Sequence, residues 1–231
     1  MLKIIVEKID NELIKAANDF SDFRERVKHY LQIHGRAYDK FTVTNNDSFL
    51  GFVSEYIIRN YMIERYSKYG IYCERWEDKF DIIKINKIVD NNLSDMDSLN
   101  YVEEYFYDRF DLIIGAGDKQ VYIDVKSAIT QKEPTENWNF LYPIVQNNIS
   151  GKDYIVLGYY VTNSIDRNDF REFVLCGCYY ENDLRNCEIQ KKGTYTRYQT
   201  KSQIDNYITE VKDYKDIDVL IKNEFNISVG G

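Results

Sequence analysis

A chain of 231 residues, 44% apolar and 29% charged with only two prolines, suits one compact globular domain rather than a disordered or linker-rich protein. Eleven glycines, and no apolar run near the roughly 18 residues needed to cross a bilayer, exclude a collagen-like repeat and a transmembrane helix. Thirty basic against 38 acidic residues, a net charge of −8, exclude a protein that coats nucleic acid by charge alone. They leave room for an enzyme that concentrates carboxylates in a metal site and confines its basic contacts to one cleft.

The N-terminus carries charges at Glu7, Lys8 and Asp10 directly after a short apolar stretch, so no secretory segment and a cytoplasmic location are expected. Leu13, Ala17, Phe20, Val27 and Leu31 recur at helical spacing over 11–33, with Asp10 or Asn11 as cap and Gly35 as stop. After the polar run 45–48, Phe49, Phe52, Val53, Tyr56, Ile57 and Ile63 predict a second helix ending by Gly70, and it carries Glu55. The texture then turns β-rich, with strands predicted over 71–75, 79–89, 110–114, 120–127, 153–162 and 171–180. Residues 91–100 read as a polar loop and 130–148 as irregular. A C-terminal helix is predicted over 203–222. The order implies one α/β domain, a central mixed β-sheet flanked by helices. Its parts are N-terminal helices over 1–70, a sheet core over 71–180 and a C-terminal region over 181–231.

Cys73, Cys176, Cys178 and Cys187 could form two disulfides, yet Cys176 and Cys178 sit in an apolar run where buried free thiols are common. There is no Cys-x-x-Cys pair, and His29 and His34 lie far from every cysteine, which disfavours structural zinc. No carboxylate or serine constellation surrounds either histidine, so a hydrolase triad is unsupported. The abundance of tyrosine, 21 residues, is expected to serve packing for the most part.

One segment, 107–127, stands above the rest. Two apolar strands flank Gly115-Ala116-Gly117-Asp118, which predicts a hairpin turn; Asp111 opens the first strand, while Asp124 and Lys126 end the second. Alternation along a strand sets Asp124 and Lys126 on one face and Val121, Ile123 and Val125 on the other. If the hairpin brings Asp111 beside them, two carboxylates converge on a hard cation such as Mg²⁺, with an ammonium close by to orient or deprotonate water. Spacing alone decides little: roughly three acidic-x-Lys triplets are expected by chance, and four occur. Glu77–Lys79, Glu210–Lys212 and Asp213–Lys215 read as solvated surface, and only Asp124–Lys126 lies in a β-branched strand. The competing reading of Asp124–Lys126 is an edge-strand ion pair.

This arrangement resembles the PD-(D/E)xK nuclease superfamily across about 48–180, through a helix bearing an acid, the hairpin and the strands that follow. Asp111 matches the first aspartate, with Phe110 where the named proline would stand; Asp124 takes the second acidic position and Lys126 the lysine position. The resemblance implies a restriction-endonuclease-like core and Mg²⁺, with Mn²⁺ as substitute, held by Asp111 and Asp124. It implies cleavage to 5′-phosphate and 3′-hydroxyl ends. It also implies a further ligand, Glu55, from the preceding helix, with Asp47, Glu64 and Asp108 as weaker alternatives, and a phosphate contact from Ser127. Lys132, Asn137, Trp138 and Gln146, with Gln131, Asn139 and Asn147, are expected to line a DNA cleft, and the basic stretch 191–201 is a second candidate surface. The size of the chain favours a sequence-specific restriction endonuclease acting on double-stranded DNA as a homodimer, with a possible cognate methyltransferase and no membrane partner. The alternatives are a structure-selective repair or junction-resolving nuclease and a non-catalytic interaction module.

Overall fold

The computed structural model describes residues 5–36, 44–147, 151–195 and 201–227. A short strand β1 (Ile5–Lys8) precedes helix α1 (Asn11–Ile33), whose first turn is capped by Asp10 accepting the Leu13 N–H at 2.7 Å. Helix α2 (Asn45–Tyr66) starts at a reciprocal cap between Thr44 and Asp47. Strand β2 (Tyr72–Arg75) follows, then helices α3 (Ile82–Asp90) and α4 (Met96–Phe106). The hairpin β3 (Leu112–Ala116) and β4 (Lys119–Thr130) comes next, with β5 (Asn139–Pro143) and the single turn α5 (Ile144–Asn147). The chain closes with β6 (Tyr154–Val161), β7 (Glu172–Tyr180), β8 (Glu188–Gln190), β9 (Asn206–Glu210) and α6 (Ile217–Phe225).

Six strands form a mixed sheet in the order β1-β7-β6-β4-β3-β2, parallel only between β4 and β6. Alternation gives it two buried faces. Leu112, Val121, Ile123, Val125, Val156 and Phe173 pack against Phe49, Val53, Ile58 and Met62 of α2 and against Leu220 and Ile221 of α6. Ile155, Leu157, Tyr159 and Val174 face the other way, onto a small antiparallel sheet, β5-β9-β8, that contributes Tyr142 and Tyr207. Each fully buried aliphatic or aromatic side chain contributes roughly 1.5–3 kcal/mol. A third cluster joins α1, α3 and α4 through Val27, Leu31, Ile85, Val102 and Tyr105.

Four sequence expectations need correction. The stretch 130–148, read as irregular, contains strand β5, which pairs with β9. Residues 79–89 form no strand: Asp81 accepts the N–H groups of Ile83 and Lys84, and Ile85 and Ile88, three apart, bury one helical face despite their β-branched character. The polar loop over 91–100 gives way at Met96 to α4, capped by Asp95. The helix expected over 203–222 is divided. Tyr207, Thr209 and Val211 are buried with period two in and just after β9, and a helix begins only at Ile217. The mixed α/β sheet with flanking helices stands as expected, and the cysteines Cys73, Cys176, Cys178 and Cys187 are free thiols. Among the described residues no helix is long and apolar enough to cross a membrane.

Candidate active site

The β3–β4 hairpin turns at Gly117, whose φ of +57° suits the first central residue of a tight two-residue connection. This turn fixes the register, pairing Ile114 with Val121 and Leu112 with Ile123, and so sets Asp111 beside Asp124. Strand β4 exchanges partners at this point. Its first half, to Ile123, pairs with β3, and its second half, from Ile123 to Thr130, pairs with β6. Beyond Ile123 the β3-side edge of β4 is completed by a side chain: the Val125 N–H donates to Asp111 Oδ2 at 2.5 Å, while the Asp111 N–H donates to the Ile123 carbonyl at 3.0 Å.

Asp124 is fully buried, on the face that meets the small sheet. Lys126 Nζ lies 2.8 Å from its Oδ2, which also accepts the Tyr142 hydroxyl at 2.9 Å. Its other oxygen, Oδ1, is held by the ammonium of Lys152. Lys152 was not singled out from sequence, because it stands alone before β6 in no motif. Its neighbour explains its placement: Asp153 accepts the Tyr122 N–H through its carboxylate at 2.8 Å and donates its own N–H to the Tyr122 carbonyl at 2.8 Å. That clamp fastens the entry of β6 beside Tyr122, two residues before Asp124. Tyr142 was also missed, since it lies in the stretch read as irregular.

The two aspartates titrate apart. Burial and the charge of Asp124 push Asp111 up to about 7, against the opposing pull of Lys126 and Lys152. Burial alone would raise Asp124 as well, but Lys126 and Lys152 outweigh it and hold Asp124 at about 2. Burial would lower the Lys152 ammonium, and Asp124 and Asp111 overcome it and raise its pKa. Lys152 therefore stays cationic at neutral pH.

Glu55, on α2, is 9% exposed. Burial and then the charges of Glu77 and Asp111 hold it well above the usual carboxylate range. Among the described residues no three His, Cys, Asp or Glu side chains are grouped to hold a metal ion. The paired carboxylates Asp111 and Asp124 nevertheless suit Mg²⁺ by donor chemistry, since that ion takes one or two carboxylates and fills its remaining positions with water and phosphate.

The other expected residues fall at varied places. Ser127 follows Lys126 on β4 and so points to the opposite face, the one that carries Val125. Lys132 and Asn137 are exposed, as are Gln131 and Asn139. Trp138 packs edge-on to Tyr159 at 5.8 Å between ring centroids, and its carbonyl accepts the Val211 N–H, so it anchors the small sheet. Gln146 is half-buried with Oε1 unbonded, and Asn147 donates to Glu181. In the basic stretch, Lys191 and Lys192 engage Asp205, and 196–200 lie outside the described residues. Glu77, read as surface, is 5% exposed and pairs with the buried Arg24 at 3.5 Å. The Glu210–Lys212 pair is exposed as expected.

No protein-family model, curated protein or solved structure matches the chain.

Proposed function

We propose that this protein is a Mg²⁺-dependent DNA endonuclease of the PD-(D/E)xK kind. The observation that carries this reading is the cluster at the point where β4 exchanges partners: Asp111 just before β3 and Asp124 on β4, with Lys126 and Lys152 on the carboxylate of Asp124. Asp111 and Asp124 would hold the ion, with Glu55 a further candidate from α2. When bound, Mg²⁺ supplies a Lewis acid for the phosphate and lowers the pKa of water.

The chain's own residues supply positioning and charge. Asp111 is oriented by its bond to the Val125 N–H, and Asp124 by Tyr142. Lys126, on the same face as Asp124, would orient the attacking water. Lys152, cationic at neutral pH, would offset the charge that develops on the phosphate oxygens. Within this class the reading extends to a sequence-specific restriction endonuclease that cuts duplex DNA as a homodimer, one subunit per strand.

A second reading is favoured by one observation. Both oxygens of Asp124 are already bonded to side chains, which is how a structural ion cluster in a non-catalytic interaction module would look. Asp124→Asn separates the two. Catalysis predicts that cutting falls by about a thousandfold or more while DNA binding persists and the fold, followed by circular dichroism, is kept. Unchanged cutting by a folded variant would exclude Asp124 from the site.

A further inference from the structure

The two lysines on Asp124 occupy the carboxylate that a metal ion would use. Lys126 Nζ approaches Oδ2 at 2.8 Å and Lys152 holds Oδ1, and both ammoniums are largely shielded from water. A divalent cation entering here alone meets two positive charges in a weakly screened setting, and these oppose it. A phosphodiester brings an anion that the two ammoniums can engage when they leave Asp124.

We propose that Lys126 and Lys152 form a phosphate-binding pair that caps Asp124 in the free protein, so that a divalent cation and a DNA phosphate bind with positive coupling. This rests on the nuclease reading of the site. Lys152 is the distinctive member, because it reaches the cluster from the segment before β6, where its neighbour Asp153 is clamped onto Tyr122 of β4. The coupling is reciprocal: the factor by which the cation tightens DNA binding equals the factor by which DNA tightens cation binding.

The test is calorimetric titration of Ca²⁺, a divalent probe that does not depend on turnover, into wild type, Lys152→Met and Lys152→Arg. Each is measured with and without a short duplex, and thermal melting checks the fold. Without DNA, Lys152→Met should bind Ca²⁺ about tenfold more tightly than wild type, since a competing cation has gone. Its gain in Ca²⁺ affinity on adding DNA should shrink by a similar factor, and Lys152→Arg should behave as wild type. A lysine with a merely structural role would weaken Ca²⁺ binding or leave it unchanged when replaced. Equal Ca²⁺ affinity in wild type and Lys152→Met would overturn the capping pair while leaving the metal site intact. Absence of Ca²⁺ binding in every protein, with or without DNA, would overturn the metal site and the coupling together.

Discussion

The Asp111 carboxylate stands in for a strand residue: Oδ2 accepts the Val125 N–H at the edge of β4 that β3, which starts only at Leu112, does not reach. One side chain thus closes the ladder and presents a carboxylate next to Asp124. Its structural and chemical parts separate by substitution. Asp111→Asn keeps an acceptor for Val125 and should cost little stability, whereas Asp111→Ala leaves that N–H unpaired and should cost about 1–3 kcal/mol in denaturant unfolding. Both should abolish cutting. Equal stability of the two variants would show that the bond to Val125 contributes nothing.

The raised pKa of Asp111 gives stability a definite pH dependence. A carboxyl at about 7 in the folded chain, against an ordinary value of about 3.9, contributes stability at low pH that is lost as pH rises through 7. Asp124, held at about 2, acts oppositely, and its contribution is lost only as pH falls below about 4. In EDTA the melting temperature should therefore fall between about pH 4 and 7 and level off above that. Glu55 and Glu77, both raised by burial, act in the same direction, so Asp111→Asn should flatten the fall without removing it. An undiminished slope in that variant would place the proton elsewhere.

For Glu55, burial and the charges of Glu77 and Asp111 favour the neutral acid, which Gln imitates in shape and charge. Glu55→Gln should melt at or above the wild-type temperature at pH 8. If Glu55 ligates the ion, the Mg²⁺ concentration for half-maximal cutting should rise by about tenfold or more. An unaltered Mg²⁺ titration would remove Glu55 from the site.

Tyr142 carries the small sheet into the cluster. Its hydroxyl is bonded to a buried carboxylate, so Tyr142→Phe should lose about 1.5–3 kcal/mol of stability, measured by denaturant unfolding. A loss under about 0.5 kcal/mol would mean that the two lysines satisfy Asp124 without it.

The hairpin was legible in the sequence because glycines mark its turn and period-two alternation sorts its faces, and these features set Asp111, Asp124 and Lys126 together. Lys152 and Tyr142 were not legible. Each reaches Asp124 through a pairing distant in sequence, β4 with β6 and β5 with β9, and long-range register leaves no local pattern. Helix α3 was misread for a related reason. Its run of isoleucines favours strand locally, and the cap at Asp81 with packing on α1 and α4 decides for helix. Glu77 looked like surface because its partner, Arg24, lies on α1, far along the chain.

The most direct measurement is incubation of the purified protein with long duplex DNA in Mg²⁺, resolved on a gel, beside the same reaction in EDTA and with Lys126→Ala. The nuclease chemistry predicts discrete fragments with 5′-phosphate and 3′-hydroxyl ends, lost in both controls. Intact duplex and branched DNA in Mg²⁺ and in Mn²⁺, with the protein folded, would contradict it and leave the Asp124 cluster as a structural ion network.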